Sequence, residues 1–284
     1  MRQGGGRLVL CGTPIGNLDD MSPRAVTTLR DADLIACEDA KRTRKLLTHF
    51  GISAGELVVY NEGNEARRAA HLVKKIATGR TVVLVSDAGM PGLSDPGYRL
   101  VTACVEADLP VEVVPGPTAV VSALAVSGLP PARFVFEGFL PRRAGDRARR
   151  VEELGGEKRT LVFFCSPHRV KSDAAALLDG LGDRRAALVR ELTKLYEEVR
   201  RGPLSELIES LEREPPRGEM VLVVEGLRAT NREPVPRDQL AARARALMED
   251  GVVRKDALVK VAREAGVPKR EVFDALVEDG GDEA

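Results

Sequence analysis

The segment 86–97, SDAGMPGLSDPG, combines small residues, prolines and two carboxylates in a pattern suited to ligand binding. Small residues let a backbone approach a ligand closely, and prolines stiffen its path. Asp87 directly follows the apolar run 81–85, which predicts a strand covered on both faces. A helix-capping role does not explain that position, so we expect Asp87 to contact a ligand, and bracing of the loop is the open alternative. Asp95 precedes Pro96, and we expect its carboxylate to cap the helix that follows.

Two other segments rich in glycine and proline stand where an expected strand meets an expected helix. GTPIGN at 12–17 follows the apolar run 7–11, and PGPTA at 115–119 follows the run 111–114. Neither fits the glycine fingerprint of dinucleotide sites or a P-loop, so neither identifies a ligand by itself. Thr118 is placed either to cap its helix or to contact a ligand, and the sequence leaves both roles open.

Titratable side chains at the ends of two further elements are candidates for acid–base chemistry. Glu38, Asp39 and Lys41 follow one expected strand, and Glu191 and Lys194 follow another. A carboxylate or a neutral lysine can accept a proton, and a charged lysine can stabilise an oxyanion. Helix-end charges, a solvated lysine and a surface ion pair are the structural alternatives, and they stay open here.

Basic residues are clustered locally although the chain as a whole is balanced. Lys plus Arg number 43 and Asp plus Glu number 43, so the net charge of +0 gives no general attraction to nucleic acid or membranes. A solvated helix face is the ordinary explanation of a charge run. Two clusters together nevertheless favour contact with RNA phosphates. The clustered cations are Lys41, Arg42, Arg44 and Lys45, then Arg142, Arg143, Arg147, Arg149 and Arg150 in an expected helix.

The order of strand and helix signals predicts a two-domain α/β protein with a helical tail. Strands and helices alternate over 1–128, which is typical of an α/β domain with a mainly parallel sheet. A second α/β domain is expected over 129–230. Its strand signals at 186–190 and 195–199 follow each other without a helix, which predicts a mixed sheet.

Residues 231–284 are expected to form a separate helical module. Gly266 and Pro268 separate two amphipathic segments by a short turn, as in a helix-turn-helix. Lys269 and Arg270 open the last helix, where such motifs meet phosphates or bases. A packing module without any nucleic-acid contact is the open alternative.

Composition excludes several classes of protein. Hydrophobic residues make up 43% of the chain, which argues for a globular core, and aromatic residues only 4%, which argues against a stacking platform for single strands. No apolar run is long enough for a membrane span and no signal-peptide pattern is present, so we expect a cytoplasmic protein. The four cysteines form no CxxC pair and are expected to be reduced core thiols, and the three histidines suggest no metal site.

Six segments, in this order and over nearly the whole chain, resemble the tetrapyrrole-methylase-type S-adenosylmethionine methyltransferases. Within that superfamily the resemblance is strongest to the branch that modifies small-subunit ribosomal RNA. The segment 86–97 is the most specific of the six, and AKRT at 40–43 departs from the Ala-Arg-Lys-Thr that we expect there. The segments are GTPIGNL at 12–18, CEDAKRT at 37–43, 86–97, 115–119, SPHR at 166–169 and RELTK at 190–194.

The resemblance implies a homodimer that binds S-adenosylmethionine between its two domains. Because that donor carries its own electrophilic methyl group, we expect the transfer to need no metal. It implies 2′-O-methylation of a cytidine ribose in the decoding region of 16S ribosomal RNA in the small subunit. Methylation of a tetrapyrrole precursor and cofactor sensing by an RNA-binding factor without turnover are the alternatives.

The residues that the resemblance places at the cofactor are Pro14, Ile15, Asp87, Ala88, Gly89, Met90, Thr118, Ala119, Phe164, Leu192 and Thr193. The candidates for RNA contact, chosen from the basic clusters and the tail, are Arg42, Arg44, Lys45, Arg142, Arg143, Arg147, Lys269 and Arg270.

Overall fold

A computed structural model describes residues 5–53, 55–228 and 235–278 of the chain. The chain divides into two compact units. The first comprises the described residues up to Ala123 together with Glu191–Glu198. The second comprises Leu124–Arg190 and the described residues from Val199 onward.

The first unit is built on a five-stranded parallel sheet. Its strands are β1 (Arg7–Cys11), β2 (Leu34–Cys37), β3 (Glu56–Val59), β4 (Thr81–Val85) and β5 (Val111–Val114). The helices that follow these strands are α1 (Pro23–Arg30), α2 (Ala40–His49), α3 (Glu65–Ala77), α4 (Tyr98–Glu106) and α5 (Ala119–Ser127). The strand order is β3-β2-β4-β1-β5, so the predicted α/β alternation is confirmed. Since β1 lies between β4 and β5, the corners that follow these three strands are neighbours at one edge of the sheet.

Strand β4 is buried on both faces, as its apolar run predicts. Val82 and Leu84 belong to the apolar cluster that includes residues of α3 and α4. Val83 and Val85 belong to the cluster that includes residues of α1 and α2. Because successive side chains of a strand point to opposite faces, a run without polar residues needs a helical layer on each side.

The starts of two helices test the predicted caps. The pair Ser22–Pro23 predicts a cap followed by the first residue of a helix. Ser22 does cap α1, since its hydroxyl accepts the amide of Ala25 at 3.1 Å. The predicted capping role of Asp95 is wrong, because α4 begins only at Tyr98 and its N-cap residue is Gly97. Gly97 has φ 154°, a conformation that glycine adopts readily and other residues rarely do. That turn carries the chain past Asp95 before the helix starts.

The second unit contains a mixed sheet, as predicted. Its strands are β6 (Phe134–Phe139), β7 (Thr160–Cys165), β8 (Arg185–Arg190), β9 (Glu198–Pro203) and β10 (Met220–Val224). Its helices are α6 (Ala144–Glu153), α7 (Val170–Leu181) and α8 (Leu204–Arg213), and the strand order is β6-β7-β10-β8-β9. Strand β6 runs parallel to β7, whereas β10 is antiparallel to β7 and to β8.

The predicted strand at 195–199 is wrong in its position, since β9 begins only at Glu198. Glu191 and Thr193 both have positive φ angles, 51° and 63°. Residues other than glycine rarely adopt this left-handed region, and it turns the chain out of an extended path. The residues between β8 and β9 therefore form a loop, which packs with the first unit.

Three helices form the C-terminal module, namely α9 (Arg237–Glu249), α10 (Arg254–Ala265) and α11 (Lys269–Glu278). They share an apolar core that includes Leu240, Val261 and Val272. Gly266 ends α10 in the left-handed conformation with φ 69°, so the predicted helix, short turn and helix are confirmed. The sequence also predicts a linker at 231–236 before this module, and residues 229–234 lie outside the described residues.

The chemistry of the cysteines agrees with the sequence. All four are free and buried. Burial raises the pKa of Cys11 to about 12, which keeps this thiol protonated and unreactive.

Among the described residues, no helix is long and apolar enough to cross a membrane. No group of His, Cys, Asp and Glu in that part of the chain is arranged to hold a metal ion.

Candidate functional site

The corner after β1 and the corner after β4 are joined by a backbone bridge. The amide of Thr13 donates to the carbonyl of Gly89 at 2.9 Å, and the amide of Gly89 donates to the carbonyl of Thr13 at 3.1 Å. The Thr13 hydroxyl also donates to the carbonyl of Ser86 at 3.3 Å. Thr13 is only 1% exposed, so these polar groups satisfy each other inside the protein.

The corner after β5 meets the other two through glycine backbones. The amide of Gly12 donates to the carbonyl of Val114 at 3.0 Å. A Cβ atom added to Gly12 would lie 2.7 Å from Cα of Gly116 and 2.7 Å from Sδ of Met90. A Cβ atom added to Gly116 would lie 2.8 Å from the backbone of Gly12. These positions therefore require glycine, and the three predicted corners form one structure.

A cavity of about 420 Å³ lies in this unit beside the corners. Ile15 and Thr193, which the resemblance assigns to the cofactor, are among its lining residues, and so are three residues of the corner after β5. Two further lining residues, Asp20 and Ser122, lie outside the segments that the sequence analysis singled out. Ser122 lies one turn into α5, and its amide donates to the carbonyl of Thr118 at 3.1 Å. Asp20 ends a short 3₁₀ turn, for which the sequence has no hydrophobic period to signal it. The full lining is Ile15, Asp20, Pro115, Gly116, Pro117, Ser122 and Thr193.

The loop between β8 and β9 packs against the corner after β1. The amide of Asn17 donates to the hydroxyl of Thr193 at 3.2 Å. A Cβ atom added to Gly16 would lie 2.8 Å from the carbonyl oxygen of Leu192 and 2.5 Å from Cγ of Lys194. Leu192, Thr193 and Lys194 are therefore neighbours of the first corner, where the family resemblance expects two of them. Lys194 Nζ also pairs with Oε1 of Glu191 at 2.9 Å.

Asp87 connects the corner after β4 to the corner after β2. Its Oδ1 accepts the amide of Asp39 at 3.2 Å, and its Oδ2 lies 3.1 Å from Nη1 of Arg42. Burial raises the pKa of Asp87, and the charge of Arg42 opposes that rise.

Asp39 itself caps α2, because its Oδ1 accepts the amides of Lys41 at 2.7 Å and Arg42 at 3.2 Å. These amide bonds, first that of Arg42, lower the pKa of Asp39.

Glu38 and Asp95 form the acidic part of the site together with Asp87. Burial first, then the charge of Asp87, raises the pKa of Glu38. Burial first, then the charge of Glu38, raises the pKa of Asp95 to about 6, although a hydrogen bond to the Ser86 side chain opposes the rise. A carboxyl group with a pKa near 6 can exchange a proton close to neutral pH. The sequence did not indicate a site role for Asp95 because the residue precedes a proline, a pattern that is typical of a helix cap.

The remaining residues expected at the cofactor differ in exposure. Pro14 is buried, Met90, Thr118 and Ala119 are half-buried, and Ala88 is exposed. Phe164 belongs to the second unit, where its ring packs edge-to-face on Phe136 with a centroid distance of 4.9 Å and lies 5.5 Å from the ring of Phe139. Phe164 is the residue of the expected cofactor set that lies in the second unit.

The cations of α2 have two different surroundings. Arg42 is bound to Asp87, as described above. Lys41, Arg44 and Lys45 instead surround a surface depression of about 480 Å³. The first basic cluster therefore divides into a residue that braces the acidic corner and residues that face solvent.

The second basic cluster is also divided. Arg147 has a side chain only 15% exposed, and its Nε lies 3.9 Å from the carboxylate of the buried Asp173. It also donates to the carbonyl of Arg142 at 3.3 Å. Arg150 pairs with Glu137 and Glu153. Among the described residues, the side chains of Arg142 and Arg143 are exposed and form no ion pair, so they are the available cations of this cluster.

The two cations expected on the C-terminal module are both exposed. Lys269 and Arg270 open α11, which follows the turn after α10. The side chain of Arg270 is 91% exposed and lies 3.9 Å from the carboxylate of Asp274, one turn along the helix. Such a pair at the surface is worth roughly 0–1 kcal/mol, so it leaves Arg270 available to a phosphate.

The sequence and the fold of this chain are similar to those of known proteins. Residues 7–208 match the family described as tetrapyrrole (corrin/porphyrin) methylases. A solved structure of uroporphyrin-III-C-methyltransferase from Thermus thermophilus is similar, with a TM-score of 0.55 and 25% sequence identity. The similarity covers 78% of this chain and 94% of that one.

Two relatives that are similar over much of their length carry the same name, ribosomal RNA small subunit methyltransferase I. The protein from Halalkalibacterium halodurans is 42% identical over 275 residues, which cover 94% of this chain and 93% of that protein. The protein from Thermotoga maritima is 46% identical over 221 residues, which cover 78% of this chain and 99% of that protein.

Proposed function

The chain belongs to the tetrapyrrole methylase family, and from that premise we propose that it methylates the 2′-oxygen of a cytidine ribose in 16S ribosomal RNA. S-adenosylmethionine is the methyl donor. The observation that carries this proposal is the 42% identity, over 94% of the chain, to a relative named ribosomal RNA small subunit methyltransferase I. We also propose that the protein works in the cytoplasm as a homodimer on the small ribosomal subunit.

The residues of the three corners fit a donor of this size and polarity. The glycine backbones of Gly12 and Gly116 leave no room for side chains, and the adjoining cavity of about 420 Å³ falls within the roughly 300–1,000 Å³ usual for small ligands. When bound, S-adenosylmethionine supplies an electrophilic methyl group on its sulfonium, so the acceptor needs no metal activation. The residues proposed to hold it are Pro14, Ile15, Asp87, Ala88, Gly89, Met90, Thr118, Ala119, Phe164, Leu192 and Thr193.

A ribose hydroxyl is a weak acid, so a group of this chain must accept its proton or stabilise the negative charge that develops on its oxygen. Asp39 is committed to capping α2, and we therefore assign it a positioning role. Glu38 and Asp95 are the carboxyl groups suited to take the proton, because burial first, and then the charge of a neighbouring carboxylate, raises the pKa of each: Asp87 acts on Glu38, and Glu38 acts on Asp95. Lys194, paired with Glu191 beside the first corner, is suited to stabilise the developing negative charge, and Lys41 stays a second candidate for that role.

RNA contact is assigned to the basic residues that solvent can reach. Arg44, Lys45, Arg142 and Arg143 are exposed, and so are Lys269 and Arg270 at the start of α11. Phosphate contacts of this kind fix the register of a folded RNA, while one nucleotide turns out of its stack toward the reacting centre. Arg42 and Arg147, the other two arginines expected to contact RNA, each lie beside a carboxylate of the protein, and we assign them a structural role.

Methyl transfer with radiolabelled S-adenosylmethionine tests the proposal. The substrate is small subunits purified from cells that lack the gene for this protein, so that the target ribose is unmodified. We expect label that ribonuclease releases and that, after hydrolysis of the RNA, migrates as 2′-O-methylcytidine. Label on a tetrapyrrole precursor alone would favour the activity named for the structural relative, uroporphyrin-III-C-methyltransferase. Donor binding without any transfer would favour a sensing role.

A further inference from the structure

The second unit contains a cavity of about 760 Å³ at the end of its sheet where β6 and β7 begin and β10 ends. This is the opposite end of β7 from Phe164, so the cavity is separate from the residues assigned to the methyl donor. Six of its twelve lining residues are charged. We call it the basic groove and define it by those six, Arg133, Glu157, Lys158, Arg159, Glu225 and Arg228.

Two cations of the basic groove have no carboxylate partner within the part of the chain that the structure describes. Arg159 binds Glu157 at 2.6 Å, and Arg228 binds Glu225 at 2.8 Å, so both acids of the groove are neutralised inside it. Among the described residues, the side chains of Arg133 and Lys158 form no ion pair, and both residues are exposed. Four cations less two carboxylates leave a charge of +2 in the groove, against +0 for the whole chain.

A rigid frame holds these charges in place. The guanidinium of Arg184 donates to the carbonyls of Gly155 at 2.7 Å, Glu157 at 3.3 Å and Glu225 at 3.4 Å, and thereby ties two walls together. Burial lowers the pKa of Arg184, but an arginine stays charged at neutral pH. A Cβ atom added to Gly226 would overlap the carbonyl of Lys158. The walls are therefore in direct backbone contact, and little conformational entropy remains to be lost on binding.

Charge and shape together indicate the ligand. A groove with charged walls and unpaired cations on a fixed frame does not suit a small apolar molecule, which prefers a mostly apolar pocket. It suits an extended polyanion, whose phosphates are bound by cations of this kind without regard to sequence. We propose that the basic groove binds the sugar–phosphate backbone of the ribosomal RNA away from the nucleotide that is methylated. This inference rests on the proposed function and adds a second RNA contact to it.

The double variant R133Q/K158Q tests the groove, and R67Q/K74Q is its matched control. Arg67 and Lys74 lie on the exposed face of α3 and form no ion pair among the described residues, so the control removes the same charge from the same chain. Binding of unmodified small subunits is measured by filter retention between low and moderate salt. We expect R133Q/K158Q to weaken binding about tenfold and to lower the slope of log affinity against log salt by about 1.5, since each lost phosphate contact removes roughly 0.7–0.9.

Affinity for S-adenosylmethionine and the urea midpoint should be unchanged in both double variants, because none of the four residues touches the corners or the core. The KM for small subunits should rise in R133Q/K158Q while kcat is kept. If wild type methylates the RNA and R133Q/K158Q binds it as tightly as the control does, the groove proposal is overturned and the proposed function stands. If wild type neither binds nor methylates the RNA, both fail together.

Discussion

Arg42 Nη1 lies 3.1 Å from Oδ2 of Asp87, and the other oxygen of that carboxylate accepts the amide of Asp39. One carboxylate thus holds both the first turn of α2 and the corner after β4. The guanidinium of Arg42 is itself 69% exposed, so this pair stands between the solvated basic face of α2 and the acidic part of the site. The position of α2 is consequently coupled to the corner expected to contact the methyl donor.

Replacing Asp87 should weaken donor binding more than it weakens the fold. Asp87→Asn keeps an oxygen for the Asp39 amide but removes the charge that pairs with Arg42. We expect S-adenosylmethionine affinity to fall about tenfold, the size of one charge-assisted hydrogen bond. Isothermal calorimetry measures the affinity, and Asp179→Asn, at an exposed position on α7, is the control. An unchanged affinity in Asp87→Asn would remove this residue from the donor site.

The contact between Gly12 and Gly116 should not tolerate a methyl group. Gly116→Ala places Cβ 2.8 Å from the backbone of Gly12, and no flexible side chain can move away to relieve the clash. We expect a loss of about 1–3 kcal/mol in the free energy of unfolding, measured by urea titration, together with weaker donor binding. Gly145→Ala in α6 is the control, because its Cβ would meet nothing within 4 Å and should leave stability equal or higher. Equal midpoints for the two variants would contradict the close approach.

The stability of the protein should depend on the protonation of Asp95. Its pKa rises from the ordinary 3.8 to about 6 on folding, so the folded protein holds this proton more tightly than the unfolded chain does. The contribution of Asp95 therefore favours folding below pH about 4 and is lost as the pH rises through about 6. Asp95→Asn cannot ionise, so we expect it to resist urea better than wild type at pH about 8, with the difference closing near pH 4. A constant difference across that range would show that Asp95 titrates normally.

The second basic cluster should separate into binding and structural residues. R142Q/R143Q removes two exposed charges that have no ion pair among the described residues, so we expect the KM for small subunits to rise several-fold with the urea midpoint unchanged. Arg147→Gln instead removes a neighbour of the buried Asp173, and we expect a loss of about 1 kcal/mol in stability because Arg169 still pairs with that acid. The opposite pattern in the two variants would reverse the assignment.

The alternation of strands and helices, both sheet types and the three corners could be predicted because each depends on local pattern, whereas the order of the strands within each sheet could not. The apolar run of β4 and the Ser22–Pro23 cap are examples in which one short stretch determines the outcome. The cofactor, the RNA substrate and most of the site residues came from the family resemblance, since spacing alone does not distinguish one small ligand from another.

The failures have a common physical cause, namely that tertiary contacts decided against a local signal. Asp95 has the sequence environment of a helix cap, but the turn at Gly97 delays the helix and leaves the carboxylate half-buried. Residues 195–199 have the composition of a strand, but the left-handed Thr193 turns the chain toward the first corner. Arg147 has the sequence environment of a surface charge, but its side chain is mostly buried and lies beside the buried Asp173.

The loop carrying Thr193 has a consequence for biosynthesis. All five strands of the first unit have been synthesised by the end of β5, yet the wall formed by Thr193 comes from a part of the chain that the ribosome makes much later. A nascent chain that has only the first sheet therefore has an incomplete cavity, and its affinity for a small ligand should develop only once β8 and the loop after it have emerged. Binding competence in this protein then requires synthesis of about two thirds of the given chain, rather than the folding of its first half alone.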